Sequence, residues 1–274
     1  AELVFATRKP HVLTHALFQT WDQLDWRAVR SLCETAVGFA YPLPKDELFV
    51  PGPALDRAYY VVRGKLLYWQ FPETSKLFNE ESTDVVDGAW LCEAALWSEW
   101  FHVGLLEAAT RCHVVTVSGS GLAATLDRSS SAIASITATY AQNFHTRLSA
   151  AMPPHADWPS DLGVPFCSPT DLLSSDVGIV LVRQALKAGD LPADTVAMLE
   201  QELRDGLCAV QLAADTGKLE RVVSLVTLSL GDGQGRTLVQ VGKWEPSAGA
   251  KPRLQLPGLK RPTQEMPKAA LQRL

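Results

Sequence analysis

Two neighbouring stretches decide the fold, 58-AYYVVRGKLLYWQF-71 and 85-VVDGAWLCEAAL-96. The first is rich in β-branched and aromatic residues, and Arg63–Gly64 lies at its centre. This pattern predicts two strands that are joined by a tight glycine turn. The second stretch predicts a strand, a turn at Gly88 and then a short helix.

Strand-like runs continue on both sides of these stretches. Upstream, 47-ELFVPG-52 is a short apolar strand that stops at a proline and a glycine. Downstream, 104-GLLEAATRCHVVTVSGSG-121 supplies two more strand-like runs. Short strands at close spacing, with turn residues between them, favour a rolled β structure over alternating βαβ units.

Helical patterns flank this β region. Apolar residues recur at helical spacing through residues 11–40, and Asp25 is placed to cap a helix that runs from Trp26 to about Ala36. Residues 129–150 form a second helical pattern in which a serine can cap the start. The sequence therefore predicts an α+β fold, a jelly-roll-like β-roll flanked by helices.

This order of elements resembles the cyclic-nucleotide-binding domain family, most closely the homology domain at the cytoplasmic end of voltage-gated-type cation channels, both potassium and cyclic-nucleotide-gated. The resemblance covers residues 11–150. It is carried by the helical lead-in 15-HALFQTWDQLDWRAVRSLC-33, by Gly52, Tyr60, Val62 and Gly64 in the first strands, and by Gly88, Glu93 and Leu96. The last three match the opening of the family's phosphate cassette, G-x-x-F-G-E-x-x-L.

The cassette departs from the family pattern at three positions. The resemblance implies backbone amides, an arginine and a Ser or Thr that hold the cyclic phosphate, and a glutamate that holds the ribose. Here Cys92 replaces the glycine before Glu93, His102 stands where the arginine is expected, and Leu105 stands where the threonine is expected. A histidine cannot form a bidentate guanidinium grip. The candidate pocket residues are Gly88, Leu91, Cys92, Glu93, Ala94, His102, Val103 and Leu105.

Alternatives remain open within this cassette. Glu93 holds a ribose hydroxyl, or it is a fold residue that bonds amides at the start of the short helix. Trp90, Trp97 and Trp100 form a cage for a purine, or they are core residues. A pocket without its phosphate grip has two uses in the family. It is filled by the protein's own chain, with an apolar side chain in place of the base, or it packs against neighbouring channel subunits.

The predicted domain order is a helical lead-in at 1–44, the β-roll with its C-terminal helix at 45–150, a proline-rich linker at 151–170, and a small α+β tail of no recognised family at 171–274. In the tail, residues 192–207 predict a helix. The stretches 219–230 and 236–244 flank 231-GDGQG-235 and predict a hairpin. Residues 246–262 are expected to be extended or loose.

Composition limits the function classes. The chain has 274 residues, 47% hydrophobic and 20% charged, which suffices for a buried core. A net charge of −5 argues against nucleic-acid binding. No apolar run approaches the roughly 20 residues of a membrane span. Five scattered cysteines predict reduced thiols without a metal site, and no enzyme signature such as GxSxG or HExxH occurs. Because the first residue is Ala1, a fragment or processed chain is expected.

The resemblance implies a cytoplasmic regulatory domain of an ion channel, on the cytoplasmic side of a membrane, that does not bind the nucleotide tightly. Its partners would be other channel subunits or the channel's own transmembrane portion. The chain is predicted to be no enzyme and to carry no cofactor, with cyclic AMP or cyclic GMP as the candidate ligands. The alternatives are a soluble cyclic-nucleotide-sensing regulatory subunit with an altered pocket, and a scaffold whose tail binds a partner.

Overall fold

The structure, a computed structural model, describes residues 2–54, 56–154, 156–213, 216–245, 247, 249–262 and 265–273. By internal packing the chain divides into two units. The first comprises Ala1–Val177 with Leu212–Lys218, and the second comprises Gly178–Gln211 with Leu219–Leu274. No helix in the described ranges is long and apolar enough to span a membrane.

Two helices open the first unit, α1 (Glu2–Val12) and α2 (Ala16–Thr35). Asp25 interrupts α2 with an extended backbone, φ −156° and ψ 90°. Its Oδ1 accepts a hydrogen bond of 3.1 Å from the Arg27 amide, which is the geometry of an N-cap. The predicted cap at Asp25 is therefore confirmed.

Eight strands then form two antiparallel four-stranded sheets. In chain order they are β1 (Val37–Ala40), β2 (Glu47–Phe49), β3 (Arg57–Arg63), β4 (Leu66–Gln70), β5 (Glu81–Val85), β6 (Trp90–Leu91), β7 (Gly104–Ala108) and β8 (His113–Ser118). The first sheet has the order β1-β8-β3-β6, and the second has the order β2-β7-β4-β5. The predicted α+β fold, a jelly-roll-like β-roll flanked by helices, is confirmed.

The predicted glycine turn is the corner where the chain passes from one sheet to the other. It joins β3 and β4, which belong to different sheets. Gly64 has φ +113°, and a Cβ there would lie 2.6 Å from the Cys112 Sγ atom. The corner therefore requires glycine both for its backbone conformation and for the close approach of the loop between β7 and β8.

The roll has a core on each side of its first sheet. Between the sheets lie Phe49, Leu66, Tyr68 and Leu106, with Val114 from β8. On the other face, β8 presents Val115 and Val117 to the helices. Those helices are α1, α2, α3 (Ala94–Trp97), α4 (Gly119–Leu126) and α5 (Ser131–Ala150).

The helix α5 matches its sequence pattern. Ser130 accepts a hydrogen bond from the Ile133 amide at its start. Helical spacing predicts one apolar face made of Ile133, Ile136, Tyr140 and Phe144. All but Ile136 are buried, and Ile136 packs partly buried against the same core. A buried bond of 3.0 Å from Trp21 Nε1 to Thr137 Oγ1 ties α5 to α2.

After α5 the chain turns back onto the roll. Leu162 packs against the core between the sheets, whereas Val164 and Leu172 join the core beneath the helices. Leu172 ends the short helix α6 (Pro169–Leu172). Parts of the segment 151–170, for which a linker is predicted, are thus packed in both cores.

The second unit is a set of short elements. Helix α7 (Ser175–Ala188) spans the boundary at Val177, and α8 (Ala193–Arg204) confirms the predicted helix. Strands β9 (Ala209–Leu212), β10 (Leu219–Val222), β11 (Leu225–Thr227), β12 (Gln240–Glu245), β13 (Gly249–Gln255) and β14 (Gly258–Lys260) precede α9 (Pro267–Leu271).

A short hairpin closes around 231-GDGQG-235, as predicted. Gly231 and Thr237 form an antiparallel bridge, the Leu238 amide donates to the Leu230 carbonyl at 2.9 Å, and the Asp232 amide donates to the Arg236 carbonyl at 3.2 Å. The pairing ends there, because β11 pairs with β14 and β12 pairs with β13. The stretch 246–262, expected to be extended or loose, supplies these partner strands. Alternation of apolar and polar residues predicts a strand, but it does not specify which strand is its partner.

Candidate functional site

The candidate site is the segment from β6 through α3 to β7, at one end of the roll. Cys92 follows β6 with φ +55°, a left-handed conformation that favours glycine. It therefore keeps the backbone turn that the family pattern gives to glycine, although it carries a side chain. That side chain is buried, and burial, followed by the nearby Asp161, raises the pKa of its thiol well above the ordinary value.

A buried carboxylate, Asp161, occupies this end of the roll. Its side chain is fully buried, and three side chains donate hydrogen bonds to it. Trp100 Nε1 and His102 Nδ1 each lie 2.7 Å from Oδ1. The Tyr68 hydroxyl lies 2.8 Å from Oδ2. Burial and the Asp161 carboxylate raise the pKa of Tyr68 far above its usual value, so the hydroxyl keeps its proton and donates.

Backbone amides complete the shell around Asp161. The amides of Val103 and Gly104 donate to Oδ2 at 3.0 Å and 2.9 Å. The Cys92 amide donates to the Asp161 carbonyl at 2.7 Å, which fixes the backbone of the incoming segment. Five donors face the carboxylate, and such a shell suits an anion because each bond to a charged acceptor is about twice as strong as a neutral one.

His102 is held rigidly in this cluster. Its ring stacks on Phe49, with centroids 4.0 Å apart and planes 9° apart. Its Nδ1 lies 3.8 Å from Cys92 Sγ as well as 2.7 Å from Asp161. The other nitrogen, Nε2, is buried without a hydrogen-bond partner among the described residues. The imidazole is therefore directed into the roll and not toward a ligand at the surface.

Cys92, His102 and Asp161 also form a set of metal-ligand types. Their ligand atoms lie within 4.8 Å of one another, and Cys, His and Asp all bind zinc. However, both oxygens of the Asp161 carboxylate already accept hydrogen bonds, one of them from His102 Nδ1. A metal ligand must offer a free lone pair to the ion, and these atoms are already engaged with one another. The arrangement fits a hydrogen-bonded core better than a metal centre.

Glu93 points to the opposite side of the same segment. Its Oε1 accepts from the Tyr140 hydroxyl at 2.6 Å and from Trp97 Nε1 at 3.2 Å. His15 Nε2 lies 3.3 Å from the same oxygen. The side chain caps no backbone amide of α3. Glu93 therefore joins α3 to α5 and to the residue before α2.

These neighbours stabilise the negative charge of Glu93. Burial alone would raise its pKa, but the His15 imidazole beside it and the hydrogen bonds from Tyr140 and Trp97 hold the pKa below the ordinary value of 4.5. The carboxylate is thus ionised in the folded protein at neutral pH.

The other candidate residues lie apart from Asp161. Gly88 has φ +88°, and its amide donates to the Val61 carbonyl. Leu91 lies in the core between the sheets, and Ala94 lies in the core beneath the helices. Leu105 is half-buried on β7, between the buried Gly104 and Leu106, so it lies on the other face of that strand. The structure therefore brings Cys92, His102 and Val103 together, and it separates them from the rest.

The indole N–H groups of the three tryptophans donate to three different residues. Trp90 Nε1 donates to Thr14 Oγ1, Trp97 to Glu93 and Trp100 to Asp161. All three pack against the core beneath the helices. They are core residues, the second of the two alternatives, and not a cage.

Sequence reasoning missed Asp161, which lies in the segment predicted as a linker. One feature of the sequence could have indicated that this segment packs against the roll. Trp158, Leu162, Val164 and Phe166 make this segment more apolar than a solvated linker needs to be. The side chain that this segment inserts among the donors is a carboxylate and not the apolar side chain that the resemblance implies.

No protein-family model matches the chain, and no curated protein matches it. Several solved structures are similar to it. A cyclic nucleotide-binding-like protein from Brucella abortus bv. 1 str. 9-941 is 23% identical, over 39% of this chain and 89% of its own, with a TM-score of 0.33. The C-linker/CNBHD of zELK channels, crystallised in the presence of cAMP, is 20% identical over 40% of this chain and 53% of its own, with a TM-score of 0.33. The sensor domain of the transcriptional regulator DNR from Pseudomonas aeruginosa is 15% identical over 56% of this chain and 99% of its own, with a TM-score of 0.41.

Replacing Asp161 with asparagine tests the buried carboxylate. The amide keeps the shape but removes the charge and turns an NH2 group toward hydrogen-bond donors. We expect the free energy of unfolding to fall by about 3–5 kcal/mol, as measured by urea denaturation. Asp157→Asn, exposed in the same segment, is the control and should change stability by less than about 0.5 kcal/mol. Equal stability of D161N and wild type would contradict the assignment.

Tyr140→Phe tests Glu93 through its pH dependence. Removing a hydrogen bond to a charged group should lower the free energy of unfolding at pH 7 by about 1.5–3 kcal/mol. The folded pKa of Glu93 lies below the unfolded value, so its contribution is present above that unfolded value and is lost as pH falls through the folded pKa. The difference between wild type and Y140F should therefore shrink below about pH 4.

Urea denaturation between pH 7 and pH 3 measures this difference. Tyr60→Phe, a half-buried tyrosine in β3, is the matched control. A difference between wild type and Y140F that stays constant over this range would show that the bond does not involve the ionised carboxylate.

Proposed function

We propose that residues 37–165 form a regulatory β-roll that is closed by the chain's own Asp161 and acts through protein contacts, without a diffusible cyclic nucleotide. One observation carries the proposal, namely the five donors that surround the Asp161 carboxylate inside the roll. These donors are the polar groups that an anionic ligand would need at this position. They are already engaged by a group of the chain itself.

Both residues that the resemblance assigns to a ligand are engaged elsewhere. His102, in the arginine position, bonds Asp161 and stacks on Phe49. Glu93, in the ribose position, bonds Tyr140 and Trp97. A cyclic nucleotide would have to break these bonds and also displace a carboxylate that repels its phosphate. If opening costs about 3 kcal/mol, the apparent affinity falls by more than about 100-fold.

The proposal assigns no catalytic role to the roll. Cys92 and His102 are the residues of this segment that could act as a nucleophile and a base, and both are buried. The raised pKa of Cys92 keeps its thiol in the unreactive protonated form at neutral pH. Cys92 and His102 are therefore assigned a structural role within the roll.

Calorimetric titration of the full chain with cyclic AMP and cyclic GMP tests this function. We expect no saturable heat up to about millimolar ligand, because binding requires the roll to open. Hydrogen exchange gives a second measurement, in which the amides of Cys92, Val103 and Gly104 stay protected and unchanged by either nucleotide. Saturable micromolar binding, or exposure of these amides by a nucleotide, would overturn the proposal.

The setting we propose for this roll is the cytoplasmic side of a cation channel, with other channel subunits or the transmembrane portion as its partners. Its support is the sequence resemblance of the strands, the cassette and the helical lead-in. The second candidate is a soluble regulatory subunit or scaffold. The second unit, with its own helices and short sheets, gives a scaffold a surface for a partner.

Reading the encoding gene on both sides of these 274 residues separates the two settings. A neighbouring block of apolar segments, each about 20 residues long, would support the channel setting. A second roll in tandem, joined to an inhibitory basic segment and without apolar segments, would replace the channel setting with the soluble regulatory subunit. The closed roll itself is tested separately by the titration.

A further inference from the structure

A pocket of about 490 Å³, separate from the Asp161 cluster, is lined by basic and aromatic residues. Its lining consists of Tyr41, Arg63, Arg111, Cys112 and His113. None of these residues belongs to the candidate site around Asp161 and Glu93. The pocket has a high density of basic groups in a chain whose net charge is −5.

The roll brings these residues together through two adjacent loops and one strand pair. In the pairing of β3 with β8, Arg63 lies opposite His113. The loop that carries Arg111 is bonded to the loop that follows β1, since the Cys112 amide donates to the Pro42 carbonyl at 3.0 Å. The Lys45 amide donates to the Ala108 carbonyl at 2.7 Å and joins the same two loops again. The pocket therefore has a frame of backbone hydrogen bonds.

Two guanidinium groups at this pocket are unpaired. Arg63 and Arg111 are both exposed, and neither forms an ion pair or a side-chain hydrogen bond within the described part of the chain. Other exposed arginines are paired, for example Arg183 and Arg204, which both bond Glu200. Two like charges beside one pocket repel each other, and a bound anion would remove that repulsion.

Aromatic and imidazole groups form the wall between these charges. The rings of Tyr41 and His113 stack with centroids 4.9 Å apart and planes 15° apart. The Nε2 atom of His113 is buried and has no hydrogen-bond partner among the described residues. Burial and then the neighbouring His113 lower the pKa of His11, whose ring lies 5.7 Å from that of His113. Basic groups are thus crowded together here.

We propose that this pocket binds a phosphate monoester, held by the guanidinium groups of Arg63 and Arg111. A phosphate monoester carries close to two negative charges on three terminal oxygens and can accept two planar N–H forks at once, whereas a carboxylate carries one charge on two oxygens. The ring of Tyr41, which is 63% exposed, provides an apolar surface for the group that carries the phosphate. This inference is independent of the closed roll, because the two sites share no residue.

Calorimetric titration of the full chain with phenyl phosphate and with inorganic phosphate tests the pocket. We expect saturable binding of one phenyl phosphate per chain, with weaker binding of inorganic phosphate, which lacks the ring. Arg63→Ala and Arg111→Ala should each weaken binding at least about tenfold. Arg63→Lys should recover only part of the loss, because lysine keeps the charge but not the fork.

Arg27→Ala is the matched control, because Arg27 is an exposed arginine on α2 that does not line the pocket. It should leave binding unchanged, and thermal unfolding should show that all variants are folded. The proposal is overturned if phenyl phosphate does not saturate, if both alanine variants bind as wild type does, or if R27A weakens binding equally.

Vesicles distinguish a free ligand from a lipid headgroup. The protein is sedimented with phosphatidylcholine vesicles that contain or lack a phosphoinositide. A lipid headgroup is the source of the phosphate if the protein sediments only with the phosphoinositide vesicles, if phenyl phosphate competes, and if R111A does not sediment. Binding of the soluble probe alone identifies a free monoester. Sedimentation with the phosphoinositide that R63A and R111A leave unchanged would contradict the pocket as the site.

Discussion

The fold of the first unit depends on one buried interaction, the Asp161 carboxylate and its five donors. The interaction joins three separate parts of the chain: β4 through Tyr68, the segment before β7 through Trp100, His102 and two amides, and the segment that follows α5. A buried carboxylate is costly unless its hydrogen bonds are satisfied, and here the cost is offset by donors that would themselves be unsatisfied without it. Each side of the interaction therefore requires the other.

A second carboxylate fixes the same segment from the opposite side. Glu93 bonds Tyr140 and Trp97 beneath the helices, while Asp161 lies between the segment and the sheets. Glu93 lies nine positions before His102, and Asp161 lies 59 positions after it. These two acidic groups thus hold the residues to which the sequence resemblance assigns a ligand. The segment keeps the backbone turn of a ligand cassette at Cys92, but its polar groups serve the structure of the roll.

Local features of this fold could be predicted from the sequence, and long-range ones could not. The Asp25 cap, the buried face of α5 and the corner at Gly64 each depend on residues close together in the chain. The Asp161 cluster joins residues that are 57 to 93 positions apart, and nothing in either stretch names its partner. The turn at Gly233 is local and forms as predicted, whereas β11 and β12 pair with strands among residues 249–260 that local patterns leave undetermined.

Asp161 is covalently attached to the roll that it fills, and this attachment determines how fully its site is occupied. A ligand that belongs to the chain is present at an effective concentration fixed by the length of its tether, roughly millimolar or higher for a short one. Ten residues separate the end of α5 from Asp161. Under the function proposed above, the occupancy of this site therefore does not follow the level of any metabolite. Evolution can adjust it only by changing the sequence, whereas a diffusible messenger would adjust it from minute to minute.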